Sequence, residues 1–189
     1  MFVDHLKKGA RLKFPLTTKF SAQKQDVTEC SLGVERIAVT IEVSKTYTTA
    51  CAFIFLPHAP GGVNYYEGSE EVVSGLFTGC VMSTYKVNGK RRVAHVHTGN
   101  DGARCCKTYF RDLLTTREYT AAKHFKPYSG DRDFPIAKRM YEESPLNKAD
   151  FLGVVSPDGT CYSVYLRKMG KCDYIVEDCV QRTPTTHIP

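Results

Sequence analysis

The sequence lacks any long hydrophobic run. Its longest apolar stretch, 50–56, is far shorter than the roughly 20 residues that cross a bilayer as a helix. The N-terminus also lacks the basic segment, apolar stretch and small-residue cleavage site of a secretory signal peptide. We therefore expect a protein with no membrane span, which does not use the general secretory pathway.

Paired cysteine motifs are also missing, although the chain contains eight cysteines. No C-x-x-C pair and no close Cys/His cluster of the zinc-finger type occurs, so the spacing predicts no structural metal site and no cofactor. Several of the thiols lie in apolar stretches, where a free cysteine behaves as a small buried hydrophobe. This pattern indicates a reducing compartment.

The chain has no internal repeat, no low-complexity tract and no linker rich in Pro, Gly or Ser. Its 189 residues are 42% hydrophobic and 24% charged, values typical of a globular protein, so we expect one domain spanning 1–189. The net charge is +6, but the densest basic run, Lys90-Arg91-Arg92, is short and follows a turn. No RNA-binding motif is present, and we expect no nucleic-acid partner.

Hydrophobic periodicity and turn residues define the predicted elements. They are strands at 36–43, 48–56, 72–87 (interrupted by Gly75 and Gly79) and 90–98, a helix that follows Asp101 and includes Cys105 and Leu113, a helix at 135–143 with Asp133 near its cap, and strands at 151–156, 160–167 and 174–180. The order of strands, helices and strands predicts an α+β fold. We expect a mixed, largely antiparallel sheet or sandwich core flanked by helices.

One predicted hairpin brings a thiol close to an imidazole. Asn88-Gly89 between two β-rich runs is a strong hairpin signal, and a two-residue loop fixes which residues face each other. Counting outward from the turn places Cys80 opposite His97, with His95 as the diagonal neighbour. Directly opposed Cβ atoms lie about 4.5–5.5 Å apart, which allows the two side chains to share a proton.

This pairing predicts a nucleophilic cysteine, with Cys80 held as a thiolate by His97. Gly79 has no side chain to obstruct a substrate amide, and backbone N–H groups beside it are candidates for an oxyanion hole. A β-bulge at Gly79 is the alternative that would pass the role of base to His95. The other histidines, among them His58 and His124, have no partner that the sequence places, and we interpret them as surface residues.

The segment Phe77-Thr78-Gly79-Cys80, with His97-Thr98-Gly99 beginning 17 residues after the cysteine, resembles a known enzyme family. It is similar to the glutamine deamidase toxins related to cytotoxic necrotizing factor and Burkholderia lethal factor, and more distantly to the chemoreceptor glutamine deamidase. Phe77 stands where that motif has leucine. Ser74 stands where some members have a threonine, and the resemblance implies that its hydroxyl orients His97. In the necrotizing factors a backbone carbonyl has that role instead.

The resemblance implies that Cys80 attacks the side-chain amide of a protein glutamine and that His97 moves the protons. It also implies a monomeric effector secreted without a classical signal peptide, acting in the host cytosol on a host protein such as a small GTPase or a translation factor. Transglutamination and peptide hydrolysis by the same Cys/His pair remain open at this point. The alternative of another class is a basic binding effector without catalysis, built on Lys86 and the run 90–92.

Overall fold

Strands form almost half of the described residues, 48% against 15% helix. The computed structural model describes residues 1–22, 29–44, 46–75, 77–98, 106–116, 118–146 and 148–189. The strands are β1 (Arg11–Lys13), β2 (Glu29–Cys30), β3 (Glu35–Ser44), β4 (Tyr47–Leu56), β5 (Val63–Glu67), β6 (Val72–Gly75), β7 (Val81–Val87), β8 (Lys90–Val96), β9 (Tyr119–Phe125), β10 (Ala149–Val155), β11 (Cys161–Lys168) and β12 (Asp173–Arg182). A short 3-10 helix (Phe2–His5) precedes them, and the α-helices are α1 (Cys106–Leu113) and α2 (Gly130–Glu143).

Seven strands close into a barrel in the order β1-β12-β11-β10-β6-β4-β3. All its pairings are antiparallel except that of β4 with β6. Alternation in β3 explains its position, because Ile37, Val39 and Ile41 all face the barrel core. Phe53 and Phe55 of β4 join them there. Burial of these large side chains supplies the hydrophobic driving force for closure.

The other five strands form a second sheet in the order β2-β5-β8-β7-β9. One face packs on α1, where Phe110 contacts the ring of Tyr85. The opposite face packs on the barrel, and Met82 of β7 shares a buried cluster with Leu56 of β4. The sheet therefore presents one face to the barrel, and this is the face that carries Cys80.

The α+β prediction, with a mixed and largely antiparallel core, is confirmed. The barrel closure was not predicted, because it depends on pairing between distant strands. Helix α2 begins at Gly130 after Ser129, so the prediction that it starts at 135 was wrong, and Pro135 lies inside it. Asp101 and Cys105, the predicted start of the first helix, lie outside the described residues. No helix in the described ranges is long and apolar enough to cross a membrane.

Candidate active site

The β7–β8 hairpin has the register that its turn predicts. Asn88 and Gly89 both adopt positive φ, 50° and 79°, as a two-residue type I′ turn requires. The pairing runs without a shift from the turn to Val81 opposite Val96. Cys80 and His97 are the residues immediately beyond this last pair. The β-bulge at Gly79, which would have made His95 the base, does not interrupt the pairing of β7 with β8.

Three side chains meet at the end of this hairpin. A ring nitrogen of His58, the Sγ atom of Cys80 and a ring nitrogen of His97 all lie within 4.8 Å of one another. His58 Nε2 is 2.8 Å from His97 Nδ1, and the two rings stack with their centroids 5.1 Å apart. Sequence reasoning placed Cys80 and His97 together but interpreted His58 as a surface residue. That interpretation was wrong, because His58 is half-buried and contacts the predicted base.

His58 lies in the segment that follows β4, and its backbone is fixed on both sides. Its N–H donates to Phe20 O at 3.0 Å, and its carbonyl accepts from Ala22 N–H at 2.7 Å. Asn64, fully buried in β5, donates from Nδ2 to Pro57 O at 2.8 Å. These hydrogen bonds hold the turn beside the sheet, so the imidazole is presented to His97 by backbone that has little freedom to move.

Ser74 lies in β6 and is fully buried. Its hydroxyl donates to Leu56 O at 2.6 Å and lies 2.8 Å from His95 Nδ1. A hydroxyl has one proton to donate, so Ser74 accepts from the Nδ1–H of His95. The expectation that Ser74 orients His97 is therefore corrected: Ser74 orients His95, and the hydrogen-bond partner of His97 Nδ1 is His58 Nε2.

His95 is enclosed on every side that the structure describes. Phe77 stacks on its ring with centroids 4.1 Å apart, and His58 lies 4.9 Å away on centroids. Its Nε2 is buried and has no hydrogen-bond partner among the described residues. Burial, followed by the charges of His58 and His97, holds the pKa of His95 well below its usual value, so this imidazole is neutral.

Burial also determines the protonation state of His58. Burial, followed by the charge of the neighbouring His97, lowers the pKa of this imidazole to about 4. His58 is consequently neutral at physiological pH and can accept a hydrogen bond through Nε2. When it accepts the Nδ1–H of His97, the Nε2 of His97 carries the lone pair that a general base needs.

Cys80 is 6% exposed, and burial raises the pKa of its thiol above the usual 9.0. Hydrogen bonds from the backbone and side chain of Thr98 act in the opposite direction but are smaller. The expectation of a resting thiolate is therefore wrong. A buried neutral thiol must instead give up its proton to a base when substrate binds.

Gly79 precedes the thiol and leaves space beside it. A Cβ at this position would meet, among the described residues, only Thr98 Oγ1 at 3.8 Å, which is an ordinary contact. Packing of the chain does not itself require glycine here. The space on this side of Cys80 is thus compatible with the approach of a substrate amide.

The chain matches no protein-family model, and no curated protein and no solved structure is found to match it. Two features of the chain therefore bear on its function: the geometry of His58, Cys80 and His97, and the short motif that contains Cys80 and His97.

Proposed function

We propose that the protein is a cysteine-dependent amide hydrolase that deamidates a glutamine of a host protein. The observation that carries the proposal is the grouping of three side chains: Cys80 and His97 have reactive atoms within 4.8 Å of each other, and His97 Nδ1 lies 2.8 Å from His58 Nε2. A nucleophile, a base and a group that orients the base are the three parts of a hydrolytic triad. His58 takes the orienting part here.

In the proposed reaction His97 Nε2 accepts the thiol proton as Cys80 Sγ attacks the carboxamide carbon of the glutamine. Backbone N–H groups near Gly79 and Cys80 stabilise the oxyanion. The C–N bond breaks and ammonia leaves with the proton from His97. Water, deprotonated by His97, then attacks the thioester, so that glutamate and the free thiol are released. The neutral His58 accepts the Nδ1–H of His97 throughout.

Deamidation is preferred to other thiol reactions because of the motif. The stretch 77–80 and His97-Thr98 resemble glutamine deamidase toxins, and Phe77, which replaces their leucine, packs on His95 within the site. A regulatory glutamine of a small GTPase is a fitting target, since that residue orients the water that hydrolyses GTP. Deamidation of that glutamine would slow GTP hydrolysis and keep the GTPase in its active form.

The alternative of a basic binding effector has weaker support. Arg92 has a side chain only 16% exposed and pairs with Glu29 and Glu67, both at 3.0 Å. Arg91 donates to the carbonyls of Gly68 and Ser156. These guanidinium groups are used within the fold, so they contribute little to a surface that would attract a nucleic acid or an acidic protein.

The test is incubation of the protein with host-cell lysate, followed by mass spectrometry of the lysate proteins. Wild type should convert at least one glutamine to glutamate, and Cys80→Ser should not. Cys161→Ser is the matched control, because Cys161 is a buried thiol in β11, remote in sequence from the cluster. If wild type and Cys80→Ser leave the same glutamines unchanged, the proposal fails. Amine incorporation at glutamine would indicate a transglutaminase instead, and backbone cleavage a protease.

A further inference from the structure

The cluster at the end of the β7–β8 hairpin has a donor set that suits a metal ion. It offers two imidazole nitrogens and one sulfur, the ligand types that Zn²⁺ prefers. We infer that His58, Cys80 and His97 form a binding site for a thiophilic divalent cation such as Zn²⁺, and that the bound ion blocks the thiol. The spacing of the cysteines in the sequence gave no sign of this site, because its ligands come from three separate segments.

The distances fit with modest adjustment. Tetrahedral zinc with Zn–N of about 2.0–2.1 Å and Zn–S of about 2.3 Å places its ligand atoms about 3.4–3.6 Å apart. The three donors already lie within 4.8 Å of one another, so movements of about 1 Å bring them into range. The ion replaces the hydrogen bond between His58 Nε2 and His97 Nδ1, which are 2.8 Å apart. Three protein ligands leave a fourth position for water.

The surroundings favour the ligand forms that a metal needs. Zinc binds neutral imidazole and thiolate, so the cysteine must lose its proton when the ion binds. On binding, the S–H bond of Cys80 breaks, its proton passes to solvent, and a bond forms between Sγ and the ion. The hydrogen bonds that Thr98 directs at the sulfur stabilise the thiolate after the proton has left.

Blocking of the reaction rests on the proposed function. Attack on a glutamine requires Cys80 Sγ as the nucleophile and a lone pair on His97 Nε2. Coordination occupies Sγ, and coordination through His97 Nδ1 leaves the ring proton on Nε2, so neither atom can take part in the reaction. A bound ion should therefore inhibit deamidation, and a chelator should restore it.

Binding can be measured without any substrate. The full chain is freed of metal with a chelator and titrated with Co²⁺, which absorbs in the near ultraviolet when a thiolate is bound and intensely in the visible when four-coordinate. Wild type should bind one ion with both signals, and Zn²⁺ should displace it. Cys80→Ser should lose the thiolate signal, and His58→Asn should bind at least about 100-fold more weakly, since even the loss of an outer-shell group costs 10–100-fold.

The matched controls are Cys161→Ser and His124→Asn, which remove a buried thiol and a buried imidazole that are not part of the cluster. Both should bind Co²⁺ as wild type does. No thiolate signal in wild type, or the same signal in Cys80→Ser, overturns the inference. If the ion binds but no glutamine is deamidated, the proposed function fails while the site stands. If the zinc-loaded protein is more active than the chelated protein, the ion does not block the thiol.

Discussion

Replacement of His58 by phenylalanine tests the orienting contact directly. His58→Phe keeps an aromatic ring in the stack with His95 and His97 but removes the acceptor 2.8 Å from His97 Nδ1. A hydrogen bond contributes about 0.5–1.5 kcal/mol, and each 1.36 kcal/mol changes a rate tenfold, so the bond alone accounts for about 2- to 13-fold. His97 is then also free to adopt the wrong tautomer, which in a serine protease triad costs about 10⁴-fold.

We therefore expect kcat for glutamine deamidation to fall at least about tenfold in His58→Phe, with little change in KM, because His58 positions the base. His58→Gln has an amide oxygen that can accept the same hydrogen bond, and it should retain more activity. Ammonia release and the mass of the modified peptide measure the reaction, and thermal unfolding checks the fold.

His124→Asn provides the comparison for this variant. His124 is also a buried imidazole with a 2.8 Å hydrogen bond, in its case to Ser83, and burial lowers its pKa to about 4 as well. Its loss should reduce stability without reducing kcat of the folded protein. If His58→Phe has the kcat of wild type while Cys80→Ser is inactive, the orienting role of His58 is refuted.

Three further predictions concern the reactivity of the Cys80 thiol, the buried hydroxyl of Ser74 and the stability of the fold at acid pH. Because burial raises the pKa of the Cys80 thiol above the usual 9.0, its alkylation by iodoacetamide should still be rising beyond pH 9. A plateau below pH 7 would contradict this. Ser74→Ala leaves the Nδ1–H of His95 buried without its acceptor, so urea unfolding should show a loss of about 1–3 kcal/mol, whereas Ser74→Thr should lose less. The pKa values of His58 and His124 fall from 6.5 to about 4 on folding, so the unfolded chain binds more protons in that window. Stability should therefore decrease as the pH falls from 6.5 to about 4, and less steeply in His124→Asn; equal slopes would show that His124 does not contribute.

The part of the site that the sequence predicts is the part that one turn controls. Asn88 and Gly89 permit a two-residue loop, and every pair from there to Val81 and Val96 follows by counting. Cys80 and His97 needed only one more step. The fold class was equally accessible, because alternation in β3 and the breaker residues between strands are local signals.

His58 could not be predicted in this way. It lies 39 residues from His97, and its position depends on hydrogen bonds to Phe20, Ala22 and Asn64 that no periodicity encodes. The Pro and Gly residues around it indicate a loop, and a loop histidine is usually exposed. The parallel pairing of β4 with β6 is a further long-range contact that fixes where this loop begins.

Two histidines were candidates for the base, His95 in β8 and His97 just past its end, and their surroundings give them different capacities. His95 uses Nδ1 on Ser74, stacks on Phe77 and is fully buried opposite Met82, so taking a proton there would place a charge where no solvent reaches it. His97 lies past the end of the strand, with its Nδ1 on His58 and a donor atom within 4.8 Å of the thiol. A base must gain and lose a proton in each turnover, and this requirement favours His97. His95 is instead a neutral ring that packs against His58 and helps to hold it in place.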